Sequence, residues 1–144
     1  MPKSTATCNS LLALLFNATA WANIADNAGS SPVSNLYVSL HTSDPGVGNS
    51  QTTNEAAYTN YARVAVARTT SGWAVPTGGE TENAALVQFP QCGASGATIT
   101  HIAIGTASSG AGTVLYAGAL SASLAVANGI QPQFAAGALT VAES

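Results

Sequence analysis

The residues able to do chemistry are few and can be taken one by one. His41, Ser43 and Asp44 stand side by side in LYVSLHTSDPG, and together they offer the base, nucleophile and orienting acid of a hydrolytic triad. Their spacing speaks against that use. Neighbours on an extended chain point to opposite faces, whereas a triad needs side chains converging from separate elements. Asp44-Pro45-Gly46 reads better as a turn, with the Asp bonding its own backbone and Pro fixing φ. That reading places His41 at the end of the outward face of a strand. His101 is the second of two histidines. A histidine pair with no carboxylate at ligand spacing argues for no metal, and an internally satisfied or interfacial ring is expected. There is no GxGxxG or P-loop, so no cofactor is expected. Cys8 and Cys92 lie far apart without a CxxC, as in two unpaired thiols of a reducing compartment.

Charge is the next signal. Charged residues are 6% of 144 and hydrophobic residues 47%, where ordinary domains carry roughly a quarter charged. Disorder is excluded by the hydrophobic content. Net charge is −3 with no basic run, so no nucleic-acid partner is expected. A surface this poor in charge protects badly against association, and points to a chain covered by its own copies or by a partner. The only arginines, Arg63 and Arg68, flank ARVAVA on opposite faces of a strand. Each is expected to make a planned contact, to a carboxylate or to carbonyls, at a subunit or shell boundary.

These residues need elements to hold them. From Ser10 to Asn27, Leu11, Leu14, Leu15, Ala18, Trp21, Ala22 and Ala25 recur at helical spacing, with Ser10 as cap and Gly29 with Pro32 as stop. Leu12 and Phe16 lie off that stripe and are expected to meet another subunit. LLALLF before Ala18-Thr19-Ala20 imitates a secretory leader, but the apolar run is short and Lys3 alone is a thin basic start. The segment is read as part of the mature fold, and no run approaches the roughly 18–20 residues of a membrane span. The sequon Asn17-Ala18-Thr19 falls inside this expected helix and is set aside.

After Pro32 the period becomes two. Alternating or β-rich runs are LYVSLH, YARVAVAR (61–68), ALVQF (85–89), ATITHIAIG (97–105), TVLYAGAL (113–120), SLAV (123–126) and ALTVA (138–142), separated by Gly-rich turns. The polar stretch 42–60 has no period and reads as an excursion loop, a common place for contacts. Trp73, beside Gly72, is expected to plug the core. The fold class expected is mainly β: an antiparallel β-sandwich or jelly roll of about seven to eight strands with one N-terminal α-helix. Residues 1–30 would form a helical segment packed on a sandwich of 31–144, one structural domain overall.

The succession LLALLFNATAW, LYVSLHTSDPG, YARVAVAR, a lone Trp and THIAIGTASSGAG resembles a family of small structural proteins of tailed bacteriophages. Its members are often labelled tail-fibre-like and are akin to jelly-roll head decoration, or cement, proteins. The resemblance covers nearly the whole chain and brings no catalytic residue. It implies a non-enzymatic virion component, made in the bacterial cytoplasm, that sits on the outer capsid surface. Its partners would be the major capsid protein of the shell and copies of itself, as dimer or trimer, with no nucleic acid, membrane or cofactor. A tail or tail-fibre component contacting the host surface is the alternative. A small hydrolase would rest on His41, Ser43 and Asp44 alone.

Overall fold

The computed structural model describes residues 4–21, 33–46 and 49–143. The fold class is the expected one: mainly β, with one helix near the N-terminus and eight strands in antiparallel sheets among the described residues. In chain order these are α1 (Thr5–Phe16), β1 (Asn35–His41), β2 (Val64–Ala67), β3 (Glu80–Glu82), β4 (Val87–Gln88), β5 (Ala97–Gly105), β6 (Val114–Val126), β7 (Gln133–Phe134) and β8 (Thr140–Ala142). A four-stranded sheet has the order β2-β1-β5-β6, and β3-β8 and β4-β7 form two pairs. The chain forms two compact units. One takes Met1–Asn35, Val66–Val87 and Phe134–Ser144, and the other Leu36–Ala65 and Gln88–Gln133. Each unit is thus assembled from segments separated in sequence.

In the first unit, α1 starts earlier than its leucine pattern suggests. Ser4, not Ser10, is the N-cap, its hydroxyl accepting the Thr7 N–H at 3.2 Å, which satisfies one of the orphan donors of the first turn. That frame brings Cys8 into the helix and makes Cys8, Leu12 and Phe16 its buried face. Leu11, Leu14 and Leu15 are only half-buried. Leu12 and Phe16 are 0% exposed within the chain, so their side chains are used in their own core and are not left over for a neighbour. Phe16 meets Trp73 edge-on, with ring centroids 4.6 Å apart. Trp73 is fully buried, as its size suggested. The helix lies beside β3, where Asn9 Oδ1 accepts the Gly79 N–H at 2.6 Å.

The helix ends at Phe16, well before Asn27; residues 22–32, which include the expected Gly29-Pro32 stop, lie outside the described residues. Asn17 caps the end, and Ala18 follows at φ +52°, a left-handed conformation costly for any residue with a Cβ. The Asn17 sequon therefore lies past the helix, but its Nδ2 donates to the Trp73 carbonyl at 2.9 Å. Asn83, fully buried, organises the rest of this unit. Its amide donates to the Ala85 and Ala135 carbonyls, and its Oδ1 accepts the Leu139 N–H, each at 2.8 Å.

In the second unit β5 occupies 97–105, the very run that alternation marked out. β1 pairs with it antiparallel from Tyr37↔Gly105 to His41↔His101. Leu36, Val38 and Leu40 are buried on one face, and Ser39 and His41 on the other, so β1 is covered on both sides. The runs expected at 113–120 and 123–126 belong to one element, β6, but pair with β5 in two stretches, Val114–Ala119 and Leu124–Val126. Strands β3 and β7 were not foreseen; at three and two residues they are too short to carry a period.

Leu12→Ala should cost about 2–5 kcal/mol, as large-to-small core changes do, and Leu11→Ala clearly less, by chemical denaturation. Equal costs would mean that the buried face of α1 is assigned wrongly. Ala18→Gly should raise stability by about 1 kcal/mol by relieving the left-handed backbone.

Candidate functional site

The groups with chemical potential meet in the second unit. His41 is 0% exposed, which overturns its expected place on an outward face. The reason is the loop 42–60, which turns back along the end of β1. Thr42 N–H bonds the Asn54 carbonyl, Ala56 N–H bonds the Leu40 carbonyl, and His41 bridges to Glu55. The turn that starts this return is the expected one, with Asp44 Oδ1 accepting the Gly46 N–H at 2.8 Å.

Both ring nitrogens of His41 are engaged. Nδ1 lies 2.9 Å from the Thr53 carbonyl and must carry the proton, because a carbonyl only accepts. Nε2 then accepts from the Ser39 hydroxyl at 2.9 Å. Ser39 and His41, two apart on one face of β1, are therefore the serine–histidine pair that the fold actually makes; Ser43 and Asp44 take no part in it. The pair has the distance of a nucleophile and its base. Yet both residues are 0% exposed, and the orienting group is a backbone carbonyl. What this arrangement does is hold the returning loop against the sheet. Burial lowers the His41 pKa from its ordinary 6.5; the Thr53 bond and Glu55 oppose that shift, while Arg63 and His101 add to it. His101, directly across from His41 in the register, has its Nδ1 2.9 Å from the Thr100 hydroxyl.

Beside the histidine is the ion pair. Arg63 Nε and Nη2 bond the two carboxylate oxygens of Glu55 at 2.6 and 2.8 Å. Its remaining reach goes to the Ala107 and Gly110 carbonyls, at 2.9 and 2.8 Å. The Tyr61 hydroxyl donates to Glu55 at 2.9 Å and accepts the Leu40 N–H at 3.1 Å. Burial raises the Tyr61 pKa; the Glu55 hydrogen bond raises that of Arg63. Next to Tyr61, Tyr58 is pushed up to about 12 by burial.

Gln51 completes the cluster. It is fully buried, and its Oε1 accepts the Ala107 N–H at 2.9 Å. It fits only because two neighbours have no side chain: a Cβ on Gly105 or on Gly112 would stand 2.2 Å from a Gln51 atom. Gln51 and Arg63 thus fix the 106–112 turn from beneath, and leave Ser108, Ser109, Gly110 and Ala111 exposed at its tip.

The other sequence candidates are placed as follows. Arg68 belongs to the first unit, where its guanidinium donates to the Leu14, Leu15 and Val33 carbonyls. Leu14 and Leu15 are in the last turn of α1, so Arg68 caps carbonyls that the helix itself leaves open. Contacts to a carboxylate and to carbonyls are thus the chemistry expected of the two arginines, made inside the chain. Cys8 and Cys92 are free thiols and both are buried. Gln51, Ser39 and Glu55 were missed. Only Ser39 carried a signal, its i, i+2 relation to His41.

With both arginines turned inward, the exposed formal charges among the described residues are Asp44, Glu80 and Glu82. The two glutamates flank a shallow depression of about 330 Å³ with Ala74, Val75, Thr77 and Thr140. Among the described residues no group of three or more His, Cys, Asp or Glu could hold a metal, and no helix is long and apolar enough to cross a membrane.

In this antiparallel β protein the histidine, the serine beside it and the arginine–glutamate pair bond one another and the backbone. A family model described as Podophage GP4 fiber I protein gp80 matches residues 2–142, nearly the whole chain, and the chain belongs to that family. It is a bacteriophage structural protein. No curated protein matches it.

Stability should fall on acidification below the ordinary histidine pKa of 6.5. Below that value the unfolded chain takes up a proton that folded His41 refuses, so unfolding binds protons and stability rises with pH. The slope is at most about 1.4 kcal/mol per pH unit, and it ends at the lowered folded pKa. Denaturation midpoints between pH 7.5 and about 5 should show the fall in the native chain. A shallower slope is expected in His41→Asn, and equal slopes would exclude His41 as the source.

Proposed function

We propose that the protein is a non-enzymatic fibre component of a phage particle, present as a small homo-oligomer and working by binding alone. The observation that carries this reading is the match over residues 2–142 to a family described by its fibre protein. The chemistry of the chain agrees with it. Ser39 and His41, a pair at catalytic distance, are sealed from any substrate. The exposed 108–111 tip is braced by Gln51 and Arg63, and a pre-set tip loses little freedom when it docks.

A second reading is a decoration protein on the outer capsid surface, clamping the major capsid protein. The scarcity of charge, 6% of the chain, favours it, because a nearly neutral surface can lie flat on a shell and gain avidity from many weak seats. Quantitative mass spectrometry of purified particles, with gold-labelled antibody in the microscope, separates the two. A few copies per particle, labelled at the tail, are expected for the fibre component. Hundreds of copies with label over the head would overturn that reading in favour of decoration.

A further inference from the structure

The outer strand of the four-stranded sheet has an unusual course. β6 is last in the order β2-β1-β5-β6, and its sequence, VLYAGALSASLAV, contains no charge and no proline. Charge and proline are what most natural edges use to repel other strands, and a long edge without them is a template for pairing. Here the register supplies a substitute. His101 pairs with Ala119 and Ile99 with Leu124, so Leu120, Ser121, Ala122 and Ser123 stand opposite Thr100 alone. At about 3.3 Å per residue, the steps from Ala119 to Leu124 would span roughly 16 Å, while the facing steps span roughly 7 Å. The surplus chain must bow out of the ladder. Ser121, Ala122 and Ser123 are exposed, and Leu120 is only half-buried.

The start of the same strand is covered differently. Ser50 bridges to Thr113, Val114 N–H bonds the Asn49 carbonyl at 2.9 Å, and Gln51 N–H bonds the Gly112 carbonyl at 2.7 Å. The excursion loop therefore lends three residues to the strand's first turn, anchored by the buried Gln51 side chain. A second register shift leaves Leu115 without a partner on β5, so between this patch and the bow the regular edge shrinks to Tyr116–Ala119, with Leu124–Val126 beyond. Bulges and short edge strands are recognised ways to prevent sheet-to-sheet growth.

We propose that the Leu120–Ser123 bow, with the Asn49–Gln51 patch, keeps the outer edge of β6 from pairing with strands of other copies. Copies then meet through other surfaces and do not extend one sheet into the next. This holds for a fibre component and a decoration protein alike, and stands apart from the choice between them.

Deleting Ser121–Ser123 places Leu120 opposite Thr100 and restores a continuous ladder. In light scattering after size exclusion, the deletion variant should show a mass above that of the native chain that grows with concentration. Adding Ala117→Lys and Ala119→Lys to the deletion should bring the mass back to the native value. A deletion variant with native circular dichroism and native mass at every concentration overturns the proposal. Where the deletion does not fold, the native chain decides. A fluorescein-labelled peptide of residues 113–119 should show no anisotropy change on mixing with it, and saturable binding of that peptide overturns the proposal.

Discussion

Arg63 is a permanent positive charge on a side chain only 2% exposed, and much of the second unit is arranged to satisfy it. An ion of that kind is tolerated inside a protein only when its hydrogen-bonding capacity is met nearly in full. Glu55 provides the counter-charge in two-pronged geometry, and the Ala107 and Gly110 carbonyls take further donors. For Glu55 to be there, the 42–60 loop must return along β1, which is the path that buries His41 and brings Gln51 under the 106–112 turn. Removing the guanidinium alone would leave the Glu55 carboxylate with the Tyr61 hydroxyl but without a counter-charge, and take away the donor to the half-buried Ala107 carbonyl. The cost of such a cut commonly reaches about 3–5 kcal/mol, comparable with losing a large apolar side chain from the core.

The first unit solves a related problem with the other arginine. A helix presents four carbonyls without internal partners at its end. Ala13 is served by the N–H groups of Asn17 and Thr19, and Leu14 and Leu15 by Arg68. The helix macrodipole makes that end favourable for a cation, and the guanidinium is held there by backbone carbonyls. Two arginines flanking one short strand thus serve two units by different means, one through a carboxylate and one through backbone oxygens.

Period-two alternation located β1 closely because its Leu36, Val38 and Leu40 face is apolar throughout, and β5 because its β-branched run is bounded by glycines. The turn at Asp44-Pro45-Gly46 was legible because its residues act locally. The start of α1 was not legible. Ser4-Thr5-Ala6-Thr7 looks like loop by composition, and the leucines of 11–15 offer two overlapping faces that only the packing of Phe16 on Trp73 decides. His41 was misplaced for a different reason. Its burial depends on a polar segment more than ten residues further on, and nothing in LYVSLH records that the chain comes back. Glu55 and Gln51 sit in that same aperiodic stretch, where sequence pattern has no period to report, so the centre of the cluster was hidden while its outer strands were plain.

The seat of Gln51 also constrains how the chain can vary. Its side chain occupies the volume that a Cβ on Gly105 or Gly112 would need. An alanine at either glycine would collide with it while Gln51 stays. Shortening Gln51 would remove the amide that holds the Ala107 N–H and leave space that a larger residue at 105 could then fill, whereas at 112 the Ala107 Cβ and N–H still stand in the way. Positions 51 and 105, far apart in sequence, are therefore tied into one unit of inheritance, in which the first step alone is harmful and a matched second step restores fitness.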